Sequence, residues 1–451
     1  MRREMVSRRE FLQRTSATGV GAALAVGATS SLHANLVQDA ETPALLGGKP
    51  VRAKGWPEWP MWNPETDEER VIKVLRSGVW SRAGVVKEFE KKWANLIGTK
   101  RCLGTTNGTH ALITALHVLG VGAGDEVLTT PYTFIATVDA ILMNNAMPIF
   151  VDVDRETFQI DPNKLEEKIT PNTKAILPVH ILGLPADMPA INAVAKKHDL
   201  AVVEDCCQAW LAEINHRRMG SFGDLGCFSF QNSKNIPIGE GGAVVGDDEH
   251  LMDKAYSFHN FGRPHGSVQG SGYVMAGTKC RMAEYQAAIG LAQLERLEEQ
   301  TEIRNKNAAY LSAQLNEIPG ITPHRLSEGV TQAAYHLYPF RYDPAGFAGL
   351  SRGTFLSALR KEGVPCSGGY SPINAMPYLG DAFGSRVFQN SYPASALDFE
   401  NYKERNQCPE NDQLTREAVW LFHKLLLGSK RDMDDIVEAI AKIQRHAGEL
   451  V

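Results

Sequence analysis

The chain has 451 residues, 43% hydrophobic and 22% charged, with a formal net charge of -5. That length allows a large core and two domains of ordinary size. No long basic run is present, which argues against a nucleic-acid footprint or a polybasic membrane patch and leaves a small molecule as the expected partner.

Arg8 and Arg9 in SRREFLQ precede a mild apolar run from Ala17 to Ala28. The run is shorter than the roughly 20 apolar residues that span a bilayer, so no stable membrane anchor is expected. Residues 1–34 read as a twin-arginine export signal, Phe11 and Leu12 after the pair setting it apart from a basic start that merely contains Arg-Arg. A working signal places the mature protein in the periplasm or another extracytoplasmic space; otherwise it stays cytoplasmic. Cleavage near Ala34 is weakly marked, because Leu32 is a poor small-residue match.

A polar, Pro- and Trp-rich lead (Glu41 to Pro64) gives way to apolar runs alternating with helix-like segments, the pattern of an α/β domain with a largely parallel sheet. RCLGTT (Arg101 to Thr106), EVLTT (Glu126 to Thr130), PIFVDV (Pro148 to Val153), KAILPVH (Lys174 to His180), LAVVED (Leu200 to Asp205), GCFSF (Gly226 to Phe230) and GAVVG (Gly242 to Gly246) read as strands. Thr109 to Leu119 and Asp187 to His198 read as helices, and one long helix is expected from Arg281 onward in RMAEYQAAIGLAQLERLEEQ. HLYPFRY (His336 to Tyr342) is strand-like, with helices at Ser351 to Glu362 and Lys430 to Ala447. The expected division is a large domain over residues 45–304 and a smaller α/β domain over 305–451. The seven cysteines, with Cys206 and Cys207 adjacent, make a poor disulfide framework and are expected to be reduced and buried.

Lys234 lies in SFQNSKNIPIGEGG, and Asp205 ends the apolar run of VVEDCCQAW. An amine and an acid at neighbouring strand ends suit pyridoxal 5'-phosphate (PLP): a lysine for the aldehyde and an anion facing the ring nitrogen. A pyridinium would offset the desolvation of Asp205, although a capping or ion-paired aspartate fits the same position. Gly108 and Thr109, where a strand ends and a helix opens, either hold a phosphate or form a plain cap. Ser229 either adds a hydroxyl to that phosphate or faces solvent. Phe134 either stacks on the ring or packs in the core. Gln208 either reaches the ring's oxygen substituent or lies on the surface. No GxSxG, HExxH or paired CxxC is present, and the 13 histidines show no metal-ligand spacing, so no metal is expected.

SFQNSKNIPIGEGG, VVEDCCQAW, TTNGTHAL, PYTFIATVDAI, PVHILGLPADM and RMAEYQAAIGLAQL together resemble the DegT/DnrJ/StrS sugar-aminotransferase family over about residues 45–445. ALLGGKPVR, WPEWP and SGVW ending at Trp80 are most similar to its branch acting on cyclitol ketones such as scyllo-inosose, with glutamine or glutamate as amino donor. The resemblance implies a PLP-dependent transferase of fold type I, with a mostly parallel seven-stranded sheet in the large domain and a smaller C-terminal domain. It also implies a homodimer with shared active sites. By motif, Lys234 would bind PLP covalently, Asp205 would pair with the ring nitrogen and Gln208 would sit near the ring hydroxyl. Ser229, Gly108 and Thr109 would hold phosphate, and Phe134 would stack on the ring.

The chain departs from relatives at Gly277, Thr278, Lys279, Cys280 and Arg281, where they commonly carry Gly-aromatic-Asn before the arginine. Lys279 either serves the partner's phosphate in place of the asparagine or points elsewhere. Pro237 stands where many members have Thr. His180, Arg263, His336, Tyr370 and Ser371 lie in segments that resemble acceptor-binding ones or are otherwise expected near the acceptor. The expected reaction is ping-pong transfer of an amine to a keto sugar or cyclitol ketone. A nucleotide-sugar acceptor is the alternative, and a PLP-fold binding or regulatory protein without turnover is the other class.

Overall fold

The computed structural model describes residues 41–451; the export-signal reading of residues 1–34 lies outside the described residues. Every apolar run forms a strand: β1 (Arg101–Thr105), β2 (Glu126–Thr129), β3 (Met147–Phe150), β4 (Thr173–Leu177) and β5 (Ala201–Asp205). A short ribbon follows, β6 (Glu213–Ile214) and β7 (Arg217–Arg218), and then β8 (Leu225–Ser229) and β9 (Gly242–Gly246). The seven longer strands make one sheet in the order β1-β9-β8-β5-β4-β2-β3. Pairing is parallel from β3 through β8, and β9 is antiparallel to both β8 and β1. Two reversals in a row leave β1 pointing the same way as β8. The C-terminal ends of β1, β2, β4, β5 and β8 therefore share one edge, where ligands of open α/β sheets bind.

Strands covered on both faces need continuous apolar runs rather than alternation. Each residue of β2, β3, β8 and β9 is buried, in keeping with EVLT, MPIF, LGCFS and GAVVG. Helix Gly108–Val118 starts where the Asn107 side chain accepts a hydrogen bond from the His110 amide at 2.8 Å. Asp187 caps helix Met188–Lys197 in the same way through the Ala190 amide at 3.0 Å. Such caps satisfy backbone donors that the first turn leaves without partners.

One long helix from Arg281 is not what forms. Arg281 bridges to Thr105, and the helix begins only at Glu284, where the Gln286 side chain accepts from the Ala283 amide. It ends at Leu294, and a second helix runs Leu297–Leu315. Between them Arg296 donates to Asp67 Oδ2 at 2.5 Å, a tertiary tie at a point that sequence periodicity does not mark.

The C-terminal part contributes β10 (Ile321–Pro323), β11 (Val330–Gln332), β12 (Leu337–Tyr342), β13 (Cys366–Ser367) and β14 (Ala418–Phe422). Four of these form an antiparallel sheet, β10-β12-β14-β13, whereas β11 joins the β6–β7 ribbon. Helices Arg352–Lys361 and Lys430–Arg445 pack beside that sheet.

Packing crosses the expected boundary at 304/305, which falls within helix Leu297–Leu315. Ile373, Phe383, Phe388 and Tyr402 share a core with Phe150, Val202 and Phe228 of the main sheet. Tyr402 donates to the Pro148 carbonyl at 2.6 Å, and Asn406 Oδ1 accepts from the Phe150 amide at 2.7 Å. In the other direction, Arg52 donates to Asp432 at 2.6 Å and to Asp435 at 2.8 Å, and Lys442 donates to the Lys49 carbonyl at 2.7 Å. Residues 41–451 accordingly cluster as one compact unit. All seven cysteines are free, five of them buried and Cys102 and Cys207 half-buried. No helix among the described residues is long and apolar enough to cross a membrane.

Candidate active site

A cavity of about 460 Å³ opens at the shared strand edge. It is lined by Gly108 and Thr109 after β1, Phe134 and Thr137 after β2, Asp205 and Gln208 at and after β5, and Ser229 and Lys234 at and after β8, with His336 and Tyr370 from the C-terminal half. Gly108 and Lys234, 126 positions apart in sequence, meet because strands that point the same way deliver their ends to one side.

Asp205 is buried, and both carboxylate oxygens are engaged. Thr137 donates its hydroxyl to Oδ2 at 2.8 Å, and the Cys207 amide donates to Oδ1 at 3.0 Å. Burial pushes the Lys234 amine below the ordinary lysine range, against the pull of the Cys207 sulfur and the Asp205 carboxylate. The Cys207 thiol is itself pushed well up by burial and is therefore uncharged at neutral pH. The turn carrying Lys234 is closed by Ile238 and Phe230 backbone pairing, with the Lys234 amide donating to the Gln231 carbonyl at 2.8 Å.

Gln208 has a fixed orientation. The Leu182 amide can only donate, and it does so to Oε1 at 2.8 Å, which leaves Nε2 to donate to the Tyr370 hydroxyl at 2.9 Å. Leu182 is left-handed (φ 64°) and Gly183 follows at φ 85°. A side chain at Gly183 would collide with the backbone of His336, Gln208 and Tyr335, so glycine is required for this approach. Because Tyr370 accepts from Gln208, its own proton is free for the cavity.

The same reasoning orients His336. Asn235 donates through Nδ2 to the Ala334 carbonyl at 2.9 Å, so Oδ1 faces His336 Nδ1 at 3.4 Å and Nε2 is left as an acceptor. Burial, with Lys234, His423 and Arg304 nearby, holds this imidazole well below the usual histidine range and therefore neutral.

His180 does not reach the cavity. It is fully buried, with Nδ1 accepting from the Ala186 amide at 3.1 Å and Nε2 donating to Glu204 at 3.0 Å. That tautomer also leaves no nitrogen lone pair for a metal beside Glu204 and Cys206, although the three ligand atoms lie within 4.8 Å of one another. Glu204 further accepts from the amides of Gly220, Phe222 and Gly223, so the pair anchors a loop. Ser371 and Arg263 are exposed and outside the cavity, the latter 6.0 Å from the Tyr273 ring. Lys279 is likewise exposed and outside it, bridging to Asn260. Phe134 is 56% exposed at the cavity, which separates it from a core aromatic.

The residues fit PLP. The amides of Gly108 and Thr109 open a helix and carry no backbone acceptor of their own, so two donors and the helix dipole face the cavity. A Cβ at Gly108 would lie 2.7 Å from both Cys207 Sγ and the Ser229 Cβ, so only glycine leaves this cradle open. Ser229, buried at the end of β8, faces the same space. An anion cradle, a carboxylate and an amine within one cavity match the three charged or reactive parts of the cofactor.

Thr137, Thr133 and Cys207 were not singled out by the sequence. Thr137 lies in the first turn of helix Ala136–Met143 and Thr133 in the bend ahead of it, so no helical spacing joins them in the sequence.

The DegT/DnrJ/EryC1/StrS aminotransferase family model matches residues 63–441. The L-glutamine:2-deoxy-scyllo-inosose aminotransferase of Streptoalloteichus tenebrarius is 35% identical over 425 residues, 90% of this chain and 98% of that protein. The spore coat polysaccharide biosynthesis protein SpsC of Bacillus subtilis is 36% identical over 389 residues, 84% of this chain and 94% of that protein. Among solved structures, 3-amino-5-hydroxybenzoic acid synthase superposes with a TM-score of 0.77 at 30% identity, covering 87% of this chain and 99% of that one.

Proposed function

The chain belongs to the DegT/DnrJ/EryC1/StrS aminotransferase family, and we propose that it is a PLP-dependent enzyme moving an amino group from glutamine or glutamate to a cyclitol ketone. The observation that carries this reading is the convergence of Lys234, Asp205 and the free amides of Gly108 and Thr109 on one cavity. PLP supplies, when bound, an aldehyde and an electron-accepting ring. The amides and Ser229 would hold the phosphate, Asp205 would pair with the ring nitrogen and Phe134 would stack on the ring.

Lys234 does the proton work. An amine held below the ordinary lysine range presents more of its neutral form, and Nζ moves the proton of the donor's α-carbon. Neutral His336 accepts a hydroxyl hydrogen at Nε2, and Tyr370, kept protonated by burial with its acidity pushed to about 12, donates to an oxygen. Donor and acceptor together suit a polyhydroxylated ring and leave it oriented rather than merely enclosed.

We include a homodimer in the proposal. Val79 and Trp80 are each more than half exposed beside Leu75, an apolar surface a second copy would cover, and Lys279 stands clear of its own cavity. Export by the twin-arginine route rests on Arg8 and Arg9; N-terminal sequencing of the native mature form checks it. Borohydride trapping with peptide mapping tests the site: label on Lys234 supports the assignment, and label elsewhere overturns it. Loading with glutamine followed by a screen of cyclitol ketones against nucleotide keto sugars separates the two acceptor classes.

A further inference from the structure

At the Lys234 loop, three residues from distant segments that do not line the cavity converge. His423, one residue past β14, lies with Nε2 3.1 Å from the Ser233 carbonyl. Trp59, from the N-terminal lead, donates through Nε1 to the Lys234 carbonyl at 3.1 Å. The peptide groups on both sides of the lysine Cα are thereby held by ring N–H donors.

Arg304 fixes the direction of this arrangement. A guanidinium only donates, and Nη2 lies 3.4 Å from His423 Nδ1, so Nδ1 accepts and the ring proton sits on Nε2, facing Ser233. Trp59 and His423 also meet edge to face, with ring centroids 4.6 Å apart, and the guanidinium carbon lies 5.5 Å from the Trp59 ring. His423 in turn stacks on His336 at 5.7 Å, which links the cluster to the cavity wall.

Arg304 is an unusual residue to bury. It is 0% exposed, has no carboxylate within ion-pairing distance among the described residues, and its Nε and Nη1 donate to no protein acceptor. Burial pushes it down to about 9, still protonated at neutral pH. Leaving a charge dry and without a counter-ion costs several kcal/mol. Filling space would be served as well by methionine or leucine, so the packing alone gives no reason for the charge. Among the described residues, the protein acceptor that its N–H donors reach is the imidazole that holds the lysine loop.

We propose that Arg304, His423 and Trp59 are positioning residues for Lys234: the guanidinium locks the His423 tautomer, and the two rings hold the Ser233 and Lys234 carbonyls so that the amine is presented to the cavity. This rests on the assignment of Lys234 made above. None of the three touches the cavity, so each acts through the loop.

The test compares wild-type protein with Trp59→Phe, Arg304→Met and Arg304→Lys. Two quantities are read: the rate at which added PLP acquires the visible absorbance of lysine-bound cofactor, and kcat and KM for glutamine. Trp59→Phe and Arg304→Met are expected to slow capture at least fivefold and lower kcat by a similar factor, with KM changed less than twofold. Arg304→Lys, which retains a charged donor, is expected to recover most of both. A merely structural role would lower the melting temperature without this split or rescue. Wild-type capture and kcat in Trp59→Phe and Arg304→Met overturn the proposal, and if Arg304→Met does not fold, Trp59→Phe decides alone. Wild-type protein that acquires no such absorbance removes the Lys234 assignment itself, an outcome distinct from variants that behave like wild type.

Discussion

Thr137 donates its hydroxyl hydrogen to Asp205 Oδ2 at 2.8 Å, which obliges Thr133, 2.8 Å from the Thr137 oxygen, to donate to Thr137 in turn. The helix start after β2 is thereby tied to the carboxylate at the end of β5. A buried carboxylate that loses a donor bears a desolvation penalty of about 1–3 kcal/mol. Thr137→Val should lower unfolding free energy by about that amount in denaturant titrations. Asp205→Asn should do something different, lowering kcat by about 10- to 1,000-fold, the equivalent of 1–3 pKa units of ring-nitrogen stabilisation, with a much smaller effect on folding.

Replacing Lys234 should remove turnover while sparing the fold. Proton transfer by a placed side chain contributes about 10²–10⁴-fold, so Lys234→Met should lose at least that factor in kcat. The stability consequence has a definite sign. Because burial depresses the folded-state value below 10.5, the unfolded chain binds this proton more tightly, and Lys234 makes stability rise with pH between the depressed value and 10.5. Lys234→Met should flatten that part of the profile of melting temperature against pH.

Glu204 gathers the amides of Gly220, Phe222 and Gly223 at 2.6–2.8 Å together with His180 Nε2. A glutamine at 204 would present one acceptor oxygen and an NH₂ group that confronts donors. A buried donor left without an acceptor costs about 1–3 kcal/mol. Glu204→Gln should therefore show a large fall in chemical unfolding free energy, with hydrogen exchange rising first in the 220–223 loop.

Acid should destabilise the protein above the range in which its carboxylates titrate. Burial lowers His259 to about 4, against the opposing hydrogen bond to the Tyr256 carbonyl, and lowers His324 to about 4, against that to the Pro339 carbonyl. Both imidazoles are neutral when folded and protonate near 6.5 when unfolded. Their contribution is present above about 6.5 and lost as pH falls towards 4, by at most about 3 kcal/mol each. Melting temperature should hold level from pH 7 to 8 and decline from pH 6.5 downward, and His324→Gln should shallow the decline.

Much of this site was legible from sequence because the parallel sheet converts chain order into spatial neighbourhood. Gly108, Asp205, Ser229 and Lys234 each stand at or just after the end of an apolar run, and runs of that kind end at one edge whatever the details of the helices between. Tyr370 and His336 also reach the cavity. His180 misled because its place in a strand-end motif looked the same as theirs; only the carboxylate of Glu204 beneath it shows that both ring nitrogens are spent. The break at Glu295–Arg296 left no trace in helical spacing, since its tie to Asp67 spans 229 residues. Trp59, Arg304 and His423 are invisible for the same reason. They are separated by 245 and 119 residues and share no periodic pattern, so nothing short of the folded chain brings them together.

Residues around 373–406 close the core of the main sheet, and residues 44–52 are fastened to the far lobe. These two stretches of the described chain are, in effect, buckled across each other. Neither lobe can be made from one uninterrupted stretch of gene, and a chain emerging from the ribosome cannot complete its first lobe until its last third has been synthesised. Cutting at 304/305 should yield two insoluble pieces that regain solubility only when produced together.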